Sequence, residues 1–193
     1  MFLSFGEMIS KLGPVGAGLY GFFNRLLIPT GLHHALNSVF WLMWQELMIL
    51  ANFGEQCLEA LKGVTGMYQA GFFPVMMFGL PAAAIAIYQS ARPERKKQVG
   101  TILLSAAFAS FVTGVTEPLE FSFMFVAPVL YFIHALLTGI MLFVAAVFKW
   151  LAGFGFSAGL IDYILSIKAP FSNDIFMLIP LGLICVFYIL LHF

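Results

Sequence analysis

Charged residues are sparse along this chain, and the uncharged stretches between them are long enough to be membrane helices. A helix needs about 20 apolar residues to cross roughly 30 Å of hydrocarbon. Four uncharged stretches approach or exceed this length, at 63–91, 98–116, 121–148 and 175–193. The pattern therefore predicts four segments that enter or span a bilayer.

The first 44 residues predict one or two further membrane elements. Residues 20–44 are interrupted only by Arg25, and the 19 residues before them contain only Glu7 and Lys11 as charges. We expect no secretory signal peptide, because the start of the chain lacks the basic residues with which such a peptide begins.

Prolines interrupt two of the long stretches. A continuous helix over 121–148 would be about 42 Å long at 1.5 Å per residue, which exceeds the hydrocarbon thickness, and Pro128 lies within it. Pro74 and Pro81 lie within 63–91. A proline removes an intrahelical hydrogen bond that another buried group must replace. Broken helices line substrate cavities in transporters, although a kink in a bundle helix is the simpler explanation of any one proline.

The segment 45–66 differs from its surroundings. It carries Glu46, Glu55, Glu59 and Lys62 and is typical of an amphipathic helix at a membrane surface. No internal repeat and no linker divide the chain, so we expect residues 1–193 to form a single membrane domain.

The composition makes lipid the solvent for the long apolar segments. Hydrophobic residues are 62% of the 193 residues and charged residues only 9%, whereas soluble domains carry about 25% charged residues. The formal net charge is 0. Because binding to nucleic acid needs a basic face, we expect no nucleic-acid partner.

The densest group of charges is RPERKK at 92–97, which holds four of the nine Lys and Arg residues. A short basic loop marks the cytoplasmic side of a membrane protein, so we place this loop in the cytoplasm. Cys57 and Cys185 lack the CxxC spacing of a metal or redox site and are interpreted as packing residues. The chain contains no phosphate loop, GxSxG or HExxH motif, so we expect no cofactor and no metal.

The first candidate site is NRLLIPTGLHHALN at 24–37, because ionisable groups in an apolar run are costly and often functional. Arg25 and His33 are eight residues apart, near two helical turns, and can share a face. His33 and His34 point about 100° apart on a helix, so we expect only one of them to line a pocket. A neutral imidazole there can bind hydroxyl groups of a ligand or accept a proton; a histidine held in the core is the alternative.

The second candidate site is GVTEPLEF at 114–121, which places two carboxylates between apolar runs. Pro118 disfavours helical geometry at Glu117, so Glu117 fits the tip of a re-entrant segment; an aqueous loop between two spanning helices is the alternative. Glu120 is explained as a carboxylate at the start of a helix, where the helix dipole favours it.

Two further groups of residues are weaker candidates. Phe72 and Phe73 precede Pro74 and offer aromatic faces beside a break, although most of the 23 Phe residues are expected in the core or against lipid. Asp162 and His134 also lie in apolar surroundings, and we expect both to be satisfied by structural contacts.

Five blocks together resemble the enzyme IIC membrane subunit of the phosphoenolpyruvate-dependent sugar phosphotransferase system, in its glucose and N-acetylglucosamine branch. The blocks are NRLLIPTGLHHALN at 24–37, GVTGMYQAGFFPVMMFGLPAAA at 63–84, ARPERKK at 91–97, TGVTEPLEFSFMFVAPVLY at 113–131 and FSAGLIDY at 156–163. They are most similar to N-acetylglucosamine-specific members, with glucose-type members close behind. Five blocks in the family's order are more specific than any single motif.

This resemblance implies an all-α integral membrane protein of the bacterial inner (plasma) membrane. The implied fold is a multi-pass transmembrane helix bundle with two re-entrant helical hairpins, surrounded by membrane lipid and able to form a homodimer. The implied function is uptake of N-acetylglucosamine or glucose by alternating access. The 6-hydroxyl of the sugar is presented to a phosphorylated IIB domain, so the phosphate donor lies on another domain or chain.

The resemblance also implies roles for individual residues. His33 of the GLH block and Glu117 of the TEP block are expected at the sugar as binding and catalytic residues, with Glu117 near the hydroxyl that accepts phosphate. Arg25 and Thr116 fall at family positions beside them. The full set of candidate substrate-binding residues is Glu117, His33, Arg25, Thr116, Asn37, Phe72 and Phe73.

Two departures from the family leave alternatives open. The resemblance covers the C-terminal, substrate-binding half of such a subunit, and residues 42–62 do not resemble the family's polar, glycine-rich loop at that point. One alternative is therefore a truncated or engineered membrane bundle with weak or no sugar transport. Another is an ion-coupled secondary transporter in which Glu117 binds a proton or sodium ion.

Overall fold

The computed structural model describes residues 12–38, 66–167 and 172–192. These residues are helical apart from connecting segments and one isolated β-bridge. The α-helices are α1 (Pro14–Leu26), α2 (Leu80–Ser90), α3 (Lys96–Thr113), α4 (Glu117–Met124), α5 (Pro128–Val147), α6 (Leu160–Ser166) and α7 (Leu178–His192). A π-helix (Pro74–Gly79) leads into α2, and short 3₁₀ turns occur at Ile28–Thr30, Pro93–Arg95 and Ile175–Met177.

Two of the predicted features lie wholly or almost wholly outside the described residues. The amphipathic segment 45–66 lies outside the described residues except for Gly66, and so does Cys57. Cys185 is buried and has a free thiol, which agrees with its prediction as a packing residue.

The helix surfaces show which solvent surrounds them. Helix α5 has 20 residues and is long and apolar enough to cross a membrane, and Pro74–Ser90 and Ile175–Phe187 are shorter apolar helices. Large apolar side chains point outward along α3 and α5, among them Leu104 and Val129, each 73% exposed. Contiguous apolar surface of this kind needs a non-aqueous neighbour. The charged residues 92–97, by contrast, form the connection between α2 and α3 and the first two residues of α3, and they are mostly exposed.

Helices α1 and α5 pack against each other most closely, and glycine makes this possible. A Cβ atom at Gly139 would lie 2.8 Å from the backbone oxygen of Gly18, and one at Gly18 would lie 3.1 Å from the Cβ of Phe143. Small residues let helix backbones approach each other in membrane proteins. This contact holds α1, which carries Arg25, directly against the spanning helix.

The predicted interruptions at Pro128, Pro74 and Pro81 have different outcomes. Pro74 is the first residue of the π-helix. The break at Pro128 is confirmed, because α4 ends at Met124 and α5 begins at the proline. The break at Pro81 is wrong, because π-helical hydrogen bonding continues into α2 there. A π-helix is rare and occurs mostly as a short insertion near functional sites.

The carbonyl that Pro81 leaves free is satisfied by another helix. In the π pattern the N–H of Leu80 bonds to the carbonyl of Val75, so residue 81 would bond to the carbonyl of Met76, but proline has no N–H. The hydroxyl of Ser110 on α3 donates to that carbonyl at 2.6 Å. The prediction that a buried group replaces the lost bond is therefore confirmed.

The segment between α5 and α6 is non-helical and partly buried, so its backbone needs side-chain partners. Gln69 Oε1 accepts from the N–H of Phe154 at 3.1 Å, and Ser166 Oγ donates to the carbonyl of Gly153. Asp162 Oδ1 accepts from the N–H of Gly155 at 3.0 Å, which confirms that Asp162 is satisfied structurally. Together these contacts hold residues 153–155 against Gln69 and α6.

Candidate functional site

A polar cavity forms where the end of α1 and the residues after it meet the connection between α3 and α4. Its volume is about 110 Å³, which is smaller than the roughly 300–1,000 Å³ of most ligand pockets. The lining residues are Asn24, Arg25, Ile28, His33, His34, Asn37, Met76, Gly114, Val115, Thr116, Glu117, Phe156 and Ser157. The two candidate sites of the sequence, 24–37 and 114–121, thus share one cavity.

The connection between α3 and α4 is held by the segment before α6. Gly114 ends α3 with a φ of 75°, and a Cβ atom there would lie 2.7 Å from Ser157 Oγ and 2.8 Å from the N of Ala158. Ser157 Oγ donates to the carbonyl of Gly114 at 2.8 Å. Glycine is therefore required at 114. The hydrogen bond from Ser157 holds the backbone just before Glu117 in place.

Glu117 faces His33 across the cavity. The distance from His33 Nε2 to Glu117 Oε1 is 3.7 Å, and the side chains are 8% and 33% exposed. Glu117 is the first residue of α4, so the prediction that Pro118 keeps it out of helical geometry is wrong. A proline in the first turn needs no intrahelical hydrogen bond and is tolerated there. The carboxylate of Glu117 is thus partly open to a ligand while its backbone is fixed.

A buried network of charges lies behind Glu117. Arg25 Nη1 is 2.7 Å from Glu120 Oε1 and donates to Thr116 Oγ1 at 3.1 Å. His134 Nε2 on α5 is 3.2 Å from the same oxygen of Glu120, which confirms that His134 is satisfied structurally. The side chains of Arg25 and Glu120 are 2% and 0% exposed, so Glu120 is more than a carboxylate at a helix start.

The prediction that only one of the two adjacent histidines lines a pocket is wrong. The ring centroids of His33 and His34 are 3.9 Å apart, and both residues line the cavity. Helical structure begins only at His33, after Gly31 in the left-handed conformation, so the angular spacing inside a regular helix does not apply. His33, His34 and Glu117 each offer one ligand atom within 4.8 Å of the others, a set that can hold a metal ion.

The chain matches the family described as Phosphotransferase system, EIIC over residues 1–139. It belongs to this family. Membership makes the chain a membrane protein, in agreement with the apolar surfaces of α3 and α5. The matched range includes 42–62, the segment that we expected to depart from the family.

Within the EIIC family, the chain is similar to components named as specific for N-acetylglucosamine or glucose. The chain is 52% identical over 184 residues to the PTS system N-acetylglucosamine-specific EIICBA component of Escherichia coli (strain K12), covering 93% of this chain and 28% of that protein. It is 45% identical over 202 residues to the N-acetylglucosamine-specific EIIC component of Streptomyces coelicolor, covering 98% of this chain and 47% of that protein. It is 47% identical over 178 residues to the glucose-specific EIICBA component of Staphylococcus saprophyticus, covering 88% and 26%. The chain thus spans less than half the length of these relatives.

The remaining predicted residues of this EIIC chain divide into two groups. Asn37 lines the cavity, and its Oδ1 accepts hydrogen bonds from Tyr20 Oη at 2.7 Å and from Asn24 Nδ2. Phe72 and Phe73 are only 2% and 1% exposed and belong to the hydrophobic core, so neither ring lines the cavity. The Phe72 ring instead lies 5.0 Å from the guanidinium carbon of Arg25.

Sequence reasoning missed several lining residues of the EIIC cavity. Phe156 lines it with 62% of its surface exposed, and Ser157 and Met76 line it as well. The block FSAGLIDY at 156–163 begins with Phe156, and an aromatic residue in a block shared with the family is the signal that could have indicated this contact. Met76 carried no such signal, since its place follows from the π-helix.

Proposed function

We propose that the chain is the sugar-translocating part of a phosphotransferase-system EIIC subunit that takes up N-acetylglucosamine or glucose. The observation that carries this proposal is the pairing of Glu117 with His33 at 3.7 Å in a polar cavity. Two segments about 80 residues apart in sequence meet there, in a chain similar to N-acetylglucosamine- and glucose-specific components.

The chemistry of the cavity suits a sugar hydroxyl that accepts phosphate. The 6-hydroxyl oxygen attacks the phosphorus of phosphocysteine on the IIB domain, so an O–P bond forms, the P–S bond breaks and the hydroxyl proton must leave. Glu117 is partly exposed and accepts that proton as a general base, while His33 orients its carboxylate. Positioning and charge stabilisation supply most of the catalysis of phosphoryl transfer, and the fixed backbone around Glu117 provides the positioning.

Other lining residues complete the proposed sugar site. Asn37 uses its oxygen for Tyr20 and Asn24, so its Nδ2 is available to donate to a sugar hydroxyl. Arg25 fixes Thr116 beside the base. The ring of Phe156 is exposed and lines the cavity. It is therefore the aromatic face that stacks on the sugar. Direct contacts of Phe72 and Phe73 with sugar stay a prediction.

The membrane arrangement is part of the same proposal. Helix α4 has 8 residues and is about 12 Å long, too short to cross roughly 30 Å of hydrocarbon. Short helices and non-helical backbone are tolerated at membrane depth where they line a cavity. We therefore propose a multi-pass protein with two re-entrant hairpins, one at 114–127 and one at 150–166.

The partners follow from the proposed reaction. Phosphate comes from a phosphorylated IIB domain, which approaches the cytoplasmic face marked by residues 92–97. Several relatives are named EIICB or EIICBA components. A homodimer in the inner membrane, with lipid against α3 and α5, is proposed as the working state.

Binding of radiolabelled sugar to the detergent-purified chain tests the proposal. We expect saturable binding of N-acetylglucosamine or glucose that falls at least tenfold in affinity in Glu117→Gln and His33→Ala. Glu94→Gln makes the same chemical change on the exposed α2–α3 connection and should bind like the unmodified chain. Unchanged binding in both cavity variants would disprove the assignment of the site.

Uptake into vesicles separates the proposal from its two alternatives. A permease subunit requires phosphorylated IIB protein for accumulation of phosphorylated sugar. An ion-coupled carrier responds to a proton or sodium gradient without IIB, and an inert bundle responds to neither. Gradient-driven uptake without IIB would therefore replace the proposed function with the carrier.

A further inference from the structure

The cavity contains a set of side chains that sugar binding does not fully use. His33, His34 and Glu117 offer two imidazole nitrogens and a carboxylate oxygen, all within 4.8 Å of one another. The two rings lie against each other, with centroids 3.9 Å apart. Two imidazoles and one carboxylate are also the ligand set of several catalytic zinc sites.

A second observation comes from the hydrogen bonds of His33. Its Nδ1 is buried and has no hydrogen-bond partner among the described residues. Its Nε2 lies 3.7 Å from Glu117, beyond the usual hydrogen-bond distance. Buried polar atoms normally have partners. Among the described residues, Nδ1 of this buried ring thus has no protein partner and Nε2 faces the carboxylate of Glu117, so either nitrogen can coordinate an ion.

The type of ligand atoms selects the class of ion. Imidazole nitrogens suit zinc, copper, nickel and cobalt, whereas magnesium and calcium prefer oxygen ligands. Zinc bonds of about 2.0–2.2 Å place tetrahedral ligand atoms roughly 3.3 Å apart, so side chains whose ligand atoms lie within 4.8 Å of one another must close by up to about 1.5 Å. His34 is exposed and can rotate to make this adjustment. The cavity leaves a fourth position open for water.

We propose that the cavity binds one Zn²⁺ ion through His33, His34 and Glu117, and that the bound ion excludes sugar. The exclusion follows because His33 and Glu117 cannot coordinate zinc and hydrogen-bond a sugar hydroxyl at the same time. Zinc binding itself does not depend on the proposed function. The competition with sugar does rest on that function.

The first measurement is zinc binding without sugar. The full chain, purified in detergent without a histidine tag and freed of metal, is titrated with ZnCl₂ in competition with a chromogenic chelator. We expect one ion per chain, and at least tenfold weaker binding in His34→Ala and in Glu117→Gln. Glu94→Gln, which removes a remote exposed carboxylate, should match the unmodified chain. Absence of stoichiometric binding, or equal affinity in His34→Ala, would overturn the site.

The second measurement separates zinc binding from the sugar proposal. Each protein is compared with its own metal-free state: added Zn²⁺ should raise the apparent Kd for sugar at least tenfold in the unmodified chain and have little effect on the Kd of His34→Ala. Zinc binding without displacement of bound sugar would overturn the exclusion. No sugar binding by metal-free protein would refute the proposed function, while the zinc titration would still decide the metal site.

Discussion

Glu117 and Glu120 lie three residues apart on one short helix, yet their surroundings differ sharply. Glu120 is fully buried and paired with Arg25, whereas Glu117 is 33% exposed in the cavity. Removing either charge of a buried carboxylate–guanidinium pair strongly lowers the free energy of unfolding. We therefore assign Glu120 to holding the site together and Glu117 to the ligand.

Neutralising each carboxylate should separate these two roles. Glu120→Gln leaves Arg25 as an uncompensated buried charge and should lower the free energy of unfolding by about 3–5 kcal/mol. Glu117→Gln should change stability by less than about 1 kcal/mol while lowering the affinity for sugar at least tenfold. Thermal unfolding in detergent, followed by circular dichroism, measures both. Equal melting temperatures of the two variants would contradict the assignment.

Phenylalanine substitutions make a second matched pair. Phe156→Ala removes an exposed cavity ring and should weaken sugar binding several-fold with little effect on stability. Phe72→Ala empties a core position beside Tyr20 and Phe154 and should cost about 3–5 kcal/mol of stability. Sugar-binding isotherms and melting curves on both variants test this. A folded Phe156→Ala protein with unchanged affinity would exclude the ring as a sugar contact.

At the scale of elements, the hydrogen bond from Ser110 to the carbonyl of Met76 links α3 to the π-helix. Ser110→Ala should cost about 1–3 kcal/mol, the penalty for a buried acceptor without a partner. In a Pro81→Ala background the cost should shrink, because residue 81 regains an N–H that can bond to the same carbonyl. Denaturant titrations of the unmodified chain, Ser110→Ala, Pro81→Ala and the double variant measure this coupling between the two positions. Strict additivity would show that Ser110 does not replace the bond lost at the proline.

The close contact between α1 and α5 depends on the absence of a side chain at Gly139. Gly139→Ala places a Cβ atom 2.8 Å from the backbone oxygen of Gly18, so the helices must separate, at a cost of about 1–3 kcal/mol. Gly155→Ala is the matched control, since within the described part of the chain a Cβ atom there would meet only Asp162 Oδ1, at 3.8 Å. Melting temperatures compare the two. A Gly139→Ala protein as stable as the control would show that close helix approach is not required.

For the whole molecule, the sequence predicted the features that depend on local chemistry. Runs without charge located α3, α5 and α7, Pro128 located the break before α5, and costly ionisable groups pointed to Arg25 and Glu117. Pairing of distant segments was not predictable in the same way. The partner of Glu120 is 95 residues away, and nothing in the spacing of either residue indicates the other.

The misplaced predictions have a common cause. The expectation for His33 and His34 assumed a regular helix that begins only at those residues, and the expectation for Pro118 ignored the tolerance of a first helical turn. Phe72 and Phe73 were weak candidates beside Pro74, and in the structure both rings pack into the core, as expected for most of the Phe residues. Each error arose where tertiary packing decides what local geometry leaves open.

The two sides of the cavity differ in how firmly they are held. Behind Glu117, Ser157 binds Gly114, and a Cβ atom at Gly159 would lie 2.5 Å from the N of Gly114, so this wall has no room to move alone. Before His33, Gly31 has a φ of 72°, and no atom of the described residues lies within 4 Å of where its Cβ would be. Gly31 is thus placed to act as a hinge. Release of sugar should proceed by the histidine side swinging away from a stationary glutamate.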